Sequence, residues 1–220
     1  GCSALEHVDD LYSLTRLEYD VFSHCVSLIS VDCSDKLTAI GSSAFFGCKA
    51  LVSIGDLSNV TSIESSVFRG CIALKSIGNM PKLESIGMQC FMGCTALETV
   101  GDLSSLKEIP SETFDGCTSL VSIGDLSNVT IIGSYGFNQC KKLTSIPNLG
   151  SLERVDQFAF SGCESLALLG NLRKLTSFGN SPFVNSPFHN CPNLVLEVLP
   201  DSAAEQYAKN YSMRYTYITE

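Results

Sequence analysis

Charge is scarce in this chain. Only 17% of its 220 residues are Asp, Glu, Lys or Arg, and 14 Lys and Arg face 23 Asp and Glu, for a formal net charge of −9. No basic run occurs, so the chain lacks the electrostatic footprint that nucleic acid or an anionic lipid surface requires, and neither is expected as a partner. Long apolar runs are missing too. None approaches the ~18 residues of a membrane helix, and no membrane insertion is expected. The three histidines, His7, His24 and His189, each sit in a different phase of the chain, and none stands with a serine or cysteine as a triad would need. There is no H-E-x-x-H, no Gly-rich phosphate loop and no C-x-x-C. The expectation is a protein that is not an enzyme and holds no cofactor or metal. No signal peptide is visible, but Gly1-Cys2 already falls inside the periodic pattern described next. The chain therefore reads as a mature or trimmed fragment, and the missing leader carries no information about secretion.

What the chain has in abundance is repetition. Apolar residues make up 45%, a globular composition, and the length is ample for one core. Phe22, Phe45, Phe68, Phe91, Phe114, Phe137 and Phe160 follow one another at steps of 23, and Phe188 comes after a step of 28. Cys2, Cys25, Cys48, Cys71, Cys94, Cys117, Cys140 and Cys163 keep the same time, then Cys191. Three residues after each stands a leucine, from Leu5 and Leu28 to Leu166 and Leu194, and three further on a Val, Ile or Leu such as Val31, Ile54 or Ile77. A second apolar pair follows, as in Val60 and Ile63 or Leu106 and Ile109. A strict period of this length means one solenoid turn per repeat, each apolar column stacking on itself along the axis. With strands ~4.8 Å apart, eight to nine rungs make a rod of roughly 40 Å.

The run LVSIGDLSNVTSIESSVFRGC, residues 51–71, resembles the BspA-like leucine-rich repeat family, and the resemblance extends over essentially residues 1–194. It implies a right-handed leucine-rich-repeat solenoid of short parallel strands, secreted or at the cell surface, with a role in adhesion to host or neighbouring-cell proteins. The family often carries Ile-Pro after the first strand. Here that place is Gly-Asp or Gly-Asn, with proline only at Pro147, so a short strand is expected.

The cysteines share one register and are expected to point into the core as small reduced hydrophobes. Neighbouring rungs bring their Cα atoms within disulfide range, ~4.4–6.8 Å, but their Cβ vectors run parallel. On this reading Cys94→Ser buries a hydroxyl without a partner at ~1–3 kcal/mol, more than Cys94→Ala. Cys90 reads as another buried small residue. Cys33 replaces an Asp56-type turn residue and is expected to be the exposed thiol. The turn column Asp56, Asn79, Asp102, Asp125, Asn148 and Asn171 reads as Asx turns; no second carboxylate recurs per rung to build a calcium ladder. Asn59-Val60-Thr61 and Asn128-Val129-Thr130 match a glycosylation sequon as by-products of the repeat.

Two places break the period. NSPFVNSPF at 180–188 duplicates five residues, an insertion near 181–185 that reads as a surface loop, with Phe183 as a contact if it is exposed. In the tail, Ser202-Ala-Ala-Glu205 is a capping box ahead of a helix to about residue 210. Met213, Tyr215 and Tyr217 then alternate like a strand, and Tyr207 and Tyr211 should face the rod. The chain divides into a solenoid, 1–194, and a C-terminal cap, 195–220.

The columns must stay as they are to fold, so specificity can reside only between them. Val52, Ser53, Lys75, Ser76, Glu98, Thr99, Val121 and Ser122 form one candidate contact face, with Phe183 beside it. A second, more charged face carries Glu84, Ser85, Lys107, Glu108, Glu153 and Arg154. The expected function is a monomeric binding or adhesion module for an extracellular or host protein, with a glycan as an alternative ligand. The rival is a passive spacer of a cell-surface protein, and a contiguous apolar or aromatic patch on the strand face would favour binding.

Overall fold

The three-residue spacing of the core residues has a direct backbone cause. The Cys71 N–H donates to the Phe68 carbonyl at 3.0 Å and the Leu74 N–H to the Cys71 carbonyl at 3.1 Å. The cysteine and the leucine after it thus each close a tight turn on the apolar residue before, and the chain bends around its own side chains. A computed structural model describes residues 1–9, 11–179 and 186–219; the insertion near 181–185 and Phe183 lie outside them. It is a solenoid of about nine turns with a C-terminal helix and strand.

Each rung carries two short strands. The first row runs through Ser30–Val31, Ser53–Ile54, Ser76–Ile77, Thr99–Val100, Ser122–Ile123, Ser145–Ile146 and Leu168–Leu169 to Val195–Val198. The second runs from Arg16–Leu17 through Ser62–Ile63 and Glu108–Ile109 to Ser177–Phe178. All pairing is parallel and in register, one rung to the next, as in Ser62 with Ser85 and Ile63 with Ile86. The strands are two residues long in every regular rung, as the sequence leads one to expect.

The third side of the rung has no strands and two left-handed residues instead. Ser43, Ser66, Gln89, Glu112, Tyr135 and Phe158 have φ of 56–60°, and four residues further on Gly47, Gly70, Gly93 and Gly116 have φ of 69–74°. Left-handed backbone is costly for residues with a Cβ. It is held here by hydrogen bonds between rungs: the Phe45, Phe68 and Phe91 N–H groups donate to the Val67, Cys90 and Thr113 carbonyls at 2.8–3.0 Å. Between these two positions stands the phenylalanine. Rings from Phe45 to Phe160 are fully buried, 5.1–5.4 Å apart at their centroids and within 10° of parallel. The ring spacing follows the rung repeat, so the column is uniform.

Proline interrupts the ladders. In the second row the residue after each strand donates to the rung below, as Gly87 does to Ile63 and Gly133 to Ile109, both at 2.8 Å. Pro110 has no N–H to give, and the sheet parts there. Pro147 does the same to the first row between Ile123 and Ile146. At the neighbouring Gly124 an added Cβ would lie 2.1 Å from the Gly101 carbonyl oxygen, so these two rungs approach too closely there for a side chain. A third interruption falls at Gly78, between Ile54 and Ile77, and nothing in the structure explains it.

The last rung is covered by helix α1, Ala203–Asn210, and by the strand Arg214–Tyr217, which pairs in parallel with Val195–Val198. The Ser202 hydroxyl accepts the Glu205 N–H at 3.2 Å, as a capping box requires. The Glu205 carboxylate reaches back one residue further than expected, to the Asp201 N–H at 2.9 Å. Met213 precedes the strand rather than opening it. Tyr207 stacks on Phe178 with centroids 3.9 Å apart, and Tyr211 leans on Tyr207 at 4.6 Å.

Glu205 is the polar centre of this end. Its carboxylate accepts from Lys209 Nζ at 2.8 Å and from the Tyr217 hydroxyl at 2.6 Å, and these bonds hold it at about 2, below the ordinary 4.5. A depressed carboxylate stabilises the fold above its unfolded value, and that contribution is lost as pH falls from about 4.5 through about 2. The melting temperature of Glu205→Gln should lie below wild type near neutrality, and the gap should close as pH approaches about 2. A gap that stays constant across that window, followed by circular dichroism, contradicts the assignment.

Candidate binding surface

Regular pairing sets the candidate residues in line. The Glu98 N–H donates to the Lys75 carbonyl at 2.8 Å and the Val121 N–H to the Glu98 carbonyl at 2.9 Å. Ser76, Thr99 and Ser122 are Cα partners in the same row. Val52, Ser53, Lys75, Ser76, Glu98, Thr99, Val121 and Ser122 are all exposed, while the Leu and Ile on either side of them turn inward. Ile29 and Val52 are adjacent on this row and 38% and 37% exposed, Val121 is 42% exposed, and Lys75 and Glu98 separate them. The apolar surface on this face is therefore a pair plus one, without aromatics, rather than a broad continuous patch.

The second row uses part of its polar surface on itself. The Thr38, Thr61 and Thr130 hydroxyls donate to the carbonyls of Thr15, Thr38 and Lys107 one rung below, at 3.0–3.1 Å. Arg154 pairs with Asp156 at 3.1 Å, and Arg16 reaches Glu64 two rungs away at 2.5 Å. In the first row neither Lys75 nor Glu98 has a salt-bridge or side-chain hydrogen-bond partner among the described residues. Sequence reasoning ranks the second face as the more charged; of its charges Arg154 is paired, while Glu84, Lys107, Glu108 and Glu153 have no side-chain partner among the described residues.

The cysteine column is more than filler. Cys48, Cys71, Cys94, Cys117, Cys140 and Cys163 are fully buried. Each S–H donates to the carbonyl of the phenylalanine 26 residues earlier, as Cys94 does to Phe68 at 3.0 Å and Cys117 to Phe91 at 3.2 Å. The thiols pin each turn to the one beneath. No disulfide forms among the described residues. Three expectations need correction. Cys2 is exposed and Cys191 half-buried, so the column loosens at both ends. Cys33 is half-buried against the core, its thiol pushed up to about 11 chiefly by burial. A serine at Cys94 would find the Phe68 carbonyl already in place as an acceptor.

The turn column behaves as Asx turns at Asp56, Asp102 and Asp125, whose carboxylates accept N–H groups two residues on at 2.8 Å. The asparagines bridge rungs instead, Asn171 Nδ2 to Asn148 Oδ1 at 2.9 Å. His7 bonds Ser30 on the surface, and His24 occupies a left-handed position with its ring edge on Phe46. Among the described residues no cluster of His, Cys, Asp or Glu is placed to hold a metal ion, and no helix is long and apolar enough to cross a membrane.

The profile of the BspA type leucine rich repeat region matches residues 1–98 and 84–194, in six copies. The chain belongs to this family. No curated protein matches it. Among solved structures it resembles a leucine rich repeat protein of T. pallidum, at 24% identity, covering 98% of this chain and 87% of that one with a TM-score of 0.60. A leucine-rich repeat protein of Eubacterium ventriosum shares 20% identity over 84% of this chain and 62% of that one, with a TM-score of 0.63. These likenesses establish the fold. The BspA-type Ile-Pro pair occurs twice here, at Ile109-Pro110 and Ile146-Pro147, and both are places where a ladder parts.

The thiol geometry gives a sharp expectation. Contact with the Cys163 thiol holds Cys191 below the ordinary thiol value, whereas burial lifts Cys48 to about 12 and pushes Cys71, Cys94 and Cys117 well up. Native thiol titration should label Cys2 and Cys191 rapidly and leave the interior of the column untouched until unfolding. Rapid labelling of Cys71 or Cys117 is the contrary result. Because its hydroxyl inherits the Phe68 carbonyl, Cys94→Ser should now cost less than Cys94→Ala and fall within about 1 kcal/mol of wild type.

Proposed function

We propose that this chain is a non-enzymatic binding module of a secreted or cell-surface protein, acting in adhesion to an extracellular or host protein. A glycan is the second ligand class to test. In this reading residues 1–194 form a monomeric solenoid that presents the contact surface, residues 195–220 are its cap, and the first-row face carries the specificity. One observation supports it above others. Lys75 and Glu98 stand side by side on exposed, rigid backbone without partners among the described residues, flanked by Val52 and Val121. Charges placed in register and left unpaired are what an electrostatically complementary partner would read. Membership in a leucine-rich repeat family agrees with a role in protein interaction.

The test is a panel of extracellular matrix proteins and glycans against wild type and the double variant Lys75→Glu, Glu98→Lys. The variant keeps the net charge and touches no column. It should weaken binding of the cognate partner by about tenfold or more, with the melting temperature within a few degrees, because surface substitutions usually cost under ~0.5 kcal/mol. A partner whose footprint avoids the first row refutes the proposed face. If nothing binds at about micromolar concentration, the spacer role replaces the adhesive one.

A further inference from the structure

The third side of the solenoid, away from both strand rows, holds an open trough of about 440 Å³. Its floor is the glycine column Gly47, Gly70 and Gly93. An added Cβ at Gly93 would meet nothing within 4 Å, and one at Gly70 would come no closer than 3.8 Å to its neighbours. The space is open because these rungs carry glycine where His24 and Gln139, in the same left-handed conformation, carry side chains. The His24 imidazole closes the end beyond Gly47, and the long walls are apolar. Ile72 and Val26 on one side are 47% and 38% exposed, and Phe46 and Met92 line the other.

At Gly70 and Gly93 the backbone groups of the floor are already paired. The N–H groups of Gly47, Gly70 and Gly93 donate to the Arg69, Met92 and Asp115 carbonyls at 2.7–2.8 Å, and the Gly70 and Gly93 carbonyls each accept an N–H at 2.9 Å. A peptide or sugar laid there would bury polar groups without partners. An acyl chain has none to satisfy. The charge on the rim has one sign: Lys49 and Arg69 line the trough and no carboxylate does. Arg69 lies over the Phe46 ring at 5.6 Å and gives Nη1 to Gln89 at 3.1 Å. Lys49 has no partner among the described residues. In a chain of net charge −9 these two cations over an apolar floor are complementary to an amphiphilic anion. Along the Phe46 wall the next rung brings Asp115, which sets the end at which an anion would be repelled.

We propose that this trough binds a medium-chain acyl carboxylate, its chain on the glycine floor and its carboxylate at Arg69 and Lys49. The site is separate from the first-row face and does not depend on it. The probe is octanoate, with octanol as its uncharged counterpart, titrated into labelled full-length chain and followed by amide chemical shifts. Octanoate should move the Gly47, Gly70, Gly93 and Ile72 amides saturably, and octanol should bind at least about tenfold more weakly. Gly70→Asn fills the trough with a residue that tolerates φ > 0 and should lower octanoate affinity by about tenfold or more, leaving the melting temperature within a few degrees. Ile72→Glu, at an exposed wall position, gives the same loss should Gly70→Asn fail to fold. Arg69→Gln should erase the preference for octanoate over octanol. Shifts that do not saturate or lie elsewhere, equal binding of octanol by wild type, or octanoate affinity unchanged in Gly70→Asn or Ile72→Glu overturns the proposal.

Discussion

Every feature of this molecule depends on identical side chains stacking on themselves at the rung spacing. The phenylalanine column shows the constraint most directly, with rings 5.1–5.4 Å apart and nearly parallel from Phe45 to Phe160. A ring can take that place only if the backbone on either side reverses tightly, which requires the two left-handed residues per rung. Those residues are held by hydrogen bonds to the next rung, which in turn require the register that the rings keep. Backbone, ring and thiol therefore fix one another, and no rung buries its own face alone.

The columns were legible because a strict period of 23 leaves one arrangement that buries every Phe, Cys, Leu and Ile. Strand shortness was legible from Gly-Asp and Gly-Asn. What escaped was whatever depends on neighbours across rungs rather than along the chain. Nothing in the spacing says that the Cys94 thiol meets the Phe68 carbonyl, because the partner belongs to the previous turn. Cys33 looked exposed because it replaces an aspartate, but the thiol turns inward where a carboxylate would face water. Pro110 was readable as a ladder break, since a residue without an N–H in a strand position must interrupt pairing. The trough also left a trace: four glycines at steps of 23, flanked by His24 and Gln139 in the same phase.

For the candidate surface, the exposure of Val52 through Ser122 followed from alternation with the columns. Which surface groups are engaged across rungs did not. Threonine hydroxyls on the second row find carbonyls one rung below, and Arg16 spans two rungs to Glu64; such pairings need three-dimensional register. The result is a scaffold whose phenylalanine and cysteine columns are fixed and whose surfaces carry side chains that the fold does not use.

The central claim, that stacking between rungs makes the column one cooperative unit and that proline weakens it locally, is tested by native-state hydrogen exchange. The Phe68, Phe91 and Phe114 amides, bonded at 2.8 Å to the next rung, should exchange only through global unfolding and report one common opening free energy. The Thr144 amide, at 3.4 Å beside Pro147, should open well before the Glu98 amide at 2.8 Å in the same row. Different opening energies for the three phenylalanines, or Thr144 protected as strongly as Glu98, would contradict the account.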